Sequence, residues 1–374
     1  MNLLIISAMY GRPWGGSEEL WYKIALFYKN NNYNVSVIAP YWDTVPKKHQ
    51  ELKSRGIKIS YVLKPHRFNF ILWRLKKFFP YLFVAKNEYL ELINKYSPDA
   101  IIVSQGHVFS AVSHKELFYA LMNSNSSIYL ISQYNTELTI LDMKEIRLIR
   151  SLYDKCKAWF FVSKNNLKLA EHQLAYSLSR AKVLYNLPSF ESNEMLQFPS
   201  FDLICFSMVS RLDILDKGHD ILFRVLSKEK WLKRKWILNL YGSGKDEEYL
   251  KELAVFYNIS DRIFFNGNVS DIKDTWRKNH ILLMPSRAEG TPLSLIEAFS
   301  VGRPAVVTDV GGNAEWVSEG FTGFLADAPT PKLFDEALDK MWMNRDQLKI
   351  LGENAYNFSK KRIKELNKEI AILN

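Results

Sequence analysis

The chain has 374 residues, 47% of them apolar and 24% charged, with a formal net charge of +10. That length is more than one hydrophobic core ordinarily holds and suits two domains, and the composition excludes a collagen-like, low-complexity or disordered chain. Two cysteines, Cys156 and Cys205, exclude a disulfide framework; neither has metal-ligand spacing, and both read as thiols in a reducing cytosol.

In chain order, MNLLIISAMYG has no basic leader and its apolar run is too short for a signal-peptide core, so it reads as a first buried strand. No window approaches the roughly 20 apolar residues of a membrane-spanning helix. A cytoplasmic protein is expected, at most peripheral at the inner face of the membrane. NLLIIS, NVSVIAP, DAIIVSQ, SIYLISQ and AWFFVS are strand candidates in the first half; LICFSMVS, WILNLYG, RIFFNG, HILLMPS and PAVVTD repeat the pattern in the second. Alternation with helical stretches predicts βαβ units and two doubly wound α/β domains. The polar, proline-bearing LPSFESNEMLQFPSFD (Leu187–Asp202) reads as the join. Domains of 1–190 and 191–356 follow, with the basic amphipathic helix 357–374 a candidate to complete the first.

The charge is uneven. Thr44–Lys95 carries twelve Lys/Arg against three Asp/Glu, or +9, and Lys64–Lys86 interleaves bases with large aromatics. Lys and Arg stems beside Trp and Phe suit anionic headgroups, and peripheral membrane contact through residues 64–86 is one expectation. An ordinary helix with a solvated basic face is the other, and nucleic acid is not expected as a partner.

Ligands of open α/β sheets bind at the carboxyl ends of the strands. The loop AMYGRPWGGSEELW after the first strand places Gly15 and Gly16 before a helix that Ser17 would cap; it lacks the dinucleotide G-x-G-x-x-G spacing. In MVSRLDILDKG, Arg211 and Lys217 are a cation pair suited to a diphosphate. YGSGKDEEYL fails as a Walker A motif, with Asn239 and Asp246 where Gly and Ser/Thr are needed. In SRAEGTPLSLIEAFSVG, Thr291 suits the cap of a helix, Pro292 its first position, and the amides of Leu293 and Ser294 stay free for an anion. Glu289 and Glu297 flank that helix start, where a carboxylate accepts well from sugar hydroxyls.

EGTPLSLIE resembles the E-x7-E motif of retaining, nucleotide-sugar-dependent glycosyltransferases of family 4 type, which have the GT-B architecture of two facing Rossmann-like domains. The glycine loop, SRLDILDKG, YGSGKDEEYLKELA, FFNGNVSDI and VTDVGGNAEWVSEGFTGFLA follow the family's order. The resemblance implies that Glu289 holds the donor sugar, Glu297 the ribose, and Arg211 and Lys217 the diphosphate. Gly16 and Gly290–Ser294 would make backbone contacts, and Asn266–Ile272, including Asn268 and Val269, would lie along the base. His107 matches a position facing donor sugar and acceptor. Ser210 departs from the family's glycine, which puts the geometry of the Arg211 loop in doubt. The implied acceptor is a glycan or lipid-linked glycan of surface polysaccharide synthesis, with no metal or other cofactor required. An epimerase of the same fold, or a non-catalytic glycan- or nucleic-acid-binding protein, are the alternatives.

Overall fold

The computed structural model describes residues 1–11, 13–62, 87–190, 192–269 and 271–373. The basic aromatic segment 64–86 lies outside them. Two all-parallel sheets face each other. The first contains β1 (Asn2–Ala8), β2 (Asn34–Pro40), β3 (Lys58–Val62), β4 (Ala100–His107), β5 (Ser127–Tyr134), β6 (Ala158–Phe161) and β7 (Ala181–Val183), in the order β3-β2-β1-β4-β5-β6-β7. The second contains β8 (Ile204–Val209), β9 (Trp236–Tyr241), β10 (Ile263–Phe265), β11 (Ile281–Met284), β12 (Ala305–Thr308) and β13 (Gly323–Ala326), in the order β10-β9-β8-β11-β12-β13. This is the GT-B arrangement.

The central strands are buried on both faces, which is why they read as unbroken apolar runs. Strands β3, β7 and β13 were not expected. KISYV and AKV are half-solvated edge strands without an apolar run, and GFLA is a four-residue edge strand. The reversal of strand order beside β1 and beside β8 opens a crevice at each sheet's carboxyl end.

Two segments join the domains. The linker after β7 has no helix or strand among its described residues. It is held to the second domain by Arg303, whose side chain is fully buried. The guanidinium donates to the carbonyls of Leu196 (2.9 Å), Gln197 (2.5 Å), Trp276 (2.9 Å) and Asn279 (2.8 Å). Burial lowers its pKa to about 10, which still leaves it charged at neutral pH. The second crossing is the helix Leu348–Glu369, which runs unbroken through position 357. Leu348 and Leu351 belong to the second domain's core, whereas Ile363 and Leu366 join the cluster containing Leu20 and Tyr28 of the first. The Tyr28 hydroxyl then accepts from the Leu373 amide at 2.8 Å. No helix among the described residues is long and apolar enough to cross a membrane.

Replacing Arg303 with Met removes the donor to four carbonyls, those of Trp276 and Asn279 buried and those of Leu196 and Gln197 partly so. The expected loss of stability is roughly 3 kcal/mol or more by urea unfolding, and Arg303→Lys should not restore it, because one ammonium cannot span a fork of four acceptors.

Candidate active site between the domains

The carboxyl ends of both sheets open on one cleft of about 1210 Å³. Two helix N-termini meet there. From the first domain comes the helix Gly16–Asn30, with Gly15 as its extended N-cap. From the second comes Leu293–Ser300, with Pro292 as N-cap. A Cβ on Gly16 would lie 3.1 Å from the Leu293 side chain, so the two helix starts are in contact. Each presents first-turn amides that have no intrahelical acceptor.

Both caps differ from the expected ones. Ser17 lies inside the helix that Gly15 caps, because the extended glycine turns the chain in two residues earlier. Thr291 does not cap its helix: its hydroxyl donates across the interface to the Val162 carbonyl. Further interdomain bonds surround it. Asn186 Nδ2 donates to Thr291 O at 2.9 Å and Asn166 Nδ2 to Glu289 O at 3.3 Å.

All the expected site residues line the cleft: Gly15 and Gly16, His107, Arg211, Lys217, Asn268, Val269, Glu289, Gly290–Ser294 and Glu297. Glu289 is 5% exposed and shares its Oε1 between Lys217 Nζ (2.6 Å) and Ser286 Oγ (2.8 Å). Arg211 is held by Asp213 (3.0 Å) and Asp216 (2.9 Å). The other oxygen of Asp216 accepts from Tyr134 OH of the first domain at 3.0 Å. Both cations are thus engaged by carboxylates. The close approach at the Arg211 loop is made by Gly242, at φ +134°, whose added Cβ would lie 2.0 Å from Ser210 O, while the Ser210 hydroxyl turns toward His219.

Glu297 is 6% exposed, and burial raises its pKa to about 7 against the opposing hydrogen bonds from Ser189. Ser189 Oγ reaches its Oε1 at 2.5 Å. The nearby Glu19 carboxylate pushes the pKa in the same direction as burial. His107, at the end of β4, has Nε2 2.7 Å from Thr139 Oγ1 and Nδ1 3.4 Å from the Phe109 amide. Burial lowers its pKa, so the ring is a neutral donor rather than a cation at neutral pH. Asn268 is tied to Ser243 at 2.9 Å, linking the two loops on the far side of the cleft.

Reasoning from sequence did not pick out Tyr134, Asp213, Asp216, Asn186 or Ser189 as site residues. Asp213 and Asp216 stood inside a loop already singled out for its cations. The others touch their partners only through the fold.

Residues 202–358 match the family model described as glycosyl transferases group 1. The chain is 29% identical over 196 residues to an uncharacterized glycosyltransferase of Methanocaldococcus jannaschii, covering 52% of this chain and about half (53%) of that protein. It is 25% identical over 349 residues to an uncharacterized glycosyltransferase of Haemophilus influenzae, covering 88% of this chain and 87% of that one. A shorter match, 34% identical over 110 residues, covers 29% of this chain and 31% of the lipopolysaccharide core biosynthesis mannosyltransferase LpsB of Rhizobium meliloti. Among solved structures, Anabaena HepE in complex with UDP and glucose superposes with a TM-score of 0.74 at 18% identity, covering 99% of this chain and 98% of that one. The similarity to glycosyl transferases group 1 thus falls on the second domain, and the whole chain has the GT-B fold.

The raised pKa of Glu297 has a signed consequence. The folded protein keeps this proton between pH 4.5 and about 7, where the unfolded chain has lost it, so the group's contribution to stability falls as pH rises through that window. Glu297→Gln should therefore gain stability relative to wild type across the window, by on the order of 3 kcal/mol at pH 8. Thermal unfolding of both proteins at pH 4.5, 6 and 8 checks this; a difference independent of pH would contradict it.

Proposed function

We propose that the chain is a retaining glycosyltransferase that moves a sugar from a nucleoside diphosphate to a glycan or lipid-linked acceptor, in the assembly of a surface polysaccharide. The carrying observation is that Arg211, Lys217, two buried glutamates and two helix N-termini from opposite domains line one cleft. Two cations and two sets of free amides suit a diphosphate, and the carboxylates of Glu289 and Glu297 suit the hydroxyls of the sugars on either side of it. The family match and the similarity to LpsB support the reading.

In this scheme the diphosphate takes Arg211 from Asp213 and Asp216, and lies against the amides of Gly16 and Leu293–Ser294. Glu289 holds the transferred sugar and Glu297 the ribose, with the base along Asn268 and Val269. The bond from the anomeric carbon to the β-phosphate oxygen breaks, and its electron pair leaves with the phosphate. Arg211, Lys217 and the helix amides stabilise that charge without reorganising. An acceptor hydroxyl enters on the face the phosphate leaves, its oxygen bonding to the anomeric carbon and its proton passing to the β-phosphate. Configuration is thereby kept. These cations and amides do the electrostatic work, and the scheme requires no resident metal. Closure of the domains keeps water from the oxocarbenium-like centre.

The test is a panel of nucleotide sugars screened by NMR against the purified protein, with no acceptor and no metal added. One donor should bind and be slowly hydrolysed, and Glu289→Ala should weaken both. Lys217→Ala should lower turnover by roughly 10²–10³-fold, the usual cost of one preorganised donor at a developing oxyanion. Binding of glycan without turnover of any nucleotide sugar, unaffected by Glu289→Ala, would instead identify a binding protein.

A further inference from the structure

Gln133, near the end of β5, lines the cleft but is only 3% exposed. Neither Nε2 nor Oε1 of its carboxamide has a hydrogen-bond partner among the described residues. A buried amide idle at both ends costs free energy that an apolar side chain of the same size would not. Its position is set by its backbone: a Cβ on Gly290 would lie 2.0 Å from Gln133 O, which places the residue against the Glu289–Thr291 loop. Beside the same loop, Asn186 is 5% exposed and spends Nδ2 on Thr291 O, leaving Oδ1 without a partner. The first-domain wall facing this loop therefore offers one idle donor and two idle acceptors.

We propose that Gln133 is a specificity-determining residue that reads hydroxyls of the transferred sugar, Oε1 accepting from one and Nε2 donating to another. This rests on the glycosyltransferase reading and adds the class of sugar: neutral and hydroxyl-bearing. Two idle acceptors call for O–H or N–H donors. The carboxylate of a uronic acid supplies none, and would set an anion against Gln133 Oε1, Asn186 Oδ1 and the neighbouring Glu289.

The test uses Gln133→Met, which keeps the volume and removes the polar atoms, and Gln133→Asn, which keeps the amide but withdraws it. Calorimetry with UDP and GDP, and binding and hydrolysis of UDP-glucose, GDP-mannose and UDP-glucuronate, are compared with wild type. Gln133→Met should leave affinity for the free diphosphate within about twofold and lower kcat/KM for the neutral nucleotide sugar by roughly 10–100-fold. It should not lower the Tm of the ligand-free protein, because an unsatisfied amide has been removed. Gln133→Asn should fall between the two. Unchanged kcat/KM, an equal loss for the diphosphate alone, a lowered Tm in both variants, or wild-type preference for UDP-glucuronate would each overturn the proposal. Failure of wild type to bind any of these nucleotides would overturn the transferase reading itself, a separate outcome.

Discussion

The two domains meet as they do because residue 290 has no side chain. A Cβ there would stand 2.0 Å from the Gln133 carbonyl and 2.8 Å from a Val162 methyl, and backbone cannot give way as a flexible side chain can. With glycine, the loop of the second domain seats directly on the ends of β5 and β6. That seat puts Thr291 within reach of Val162 O, Asn186 within reach of Thr291 O, and the start of the helix Leu293–Ser300 against Gly16. The convergence of two helix N-termini, and with it the positive end of the cleft, follows from one close backbone approach. Gly311, at φ +55° with its added Cβ 2.2 Å from Glu289 O, packs the other side of the same loop. The loop bearing Glu289 thus makes two close glycine contacts, its own Gly290 against the first domain and Gly311 of the second domain against Glu289.

The cations that line the cleft are ion-paired within the protein. Arg211 sits between Asp213 and Asp216, and Lys217 against Glu289. A partly buried cation without a partner is costly, so these carboxylates hold Arg211 and Lys217 in place. The arrangement also sets a threshold. An anion displaces the carboxylates only if it offers more charge and better geometry, which favours a diphosphate over a single carboxylate. Asp216 is tied by Tyr134 to the first domain, so any rearrangement at Arg211 is felt across the domain interface. The setting of Arg211 and the position of the domains share one chain of contacts.

The core strands were legible because burial on both faces leaves a plain apolar run, as in NLLIIS and AIIVS. The edges were not: KISYV of β3 and AKV of β7 are half-solvated, and nothing local separates them from loop. The cations and glutamates of the cleft were legible as motif residues, each in a loop after a strand. Their partners were not, because Tyr134 and Asp216 are 82 positions apart, and Ser189 and Glu297 are 108 apart. Such pairs exist only once the two sheets have been placed. The caps failed for a related reason. Thr291 has the side chain of an N-cap, but the interdomain carbonyl of Val162 competes for its hydroxyl, and the tertiary contact prevails.

Three buried groups that do little for stability line the cleft. Glu297 is buried with a pKa raised to about 7, Gln133 is buried with both amide atoms idle, and Asn186 leaves an oxygen unpaired. Arg303 is the contrasting case, a buried cation that finds four carbonyls. The difference lies in what faces them. Arg303 faces the fixed linker, whereas Glu297, Gln133 and Asn186 line the cleft. Polar atoms held rigid and unpaired at the wall of a cavity repay their burial only when something with complementary hydrogen-bonding groups enters it. A sugar ring carries such groups on every side, and the wall offers both donors and acceptors to meet them.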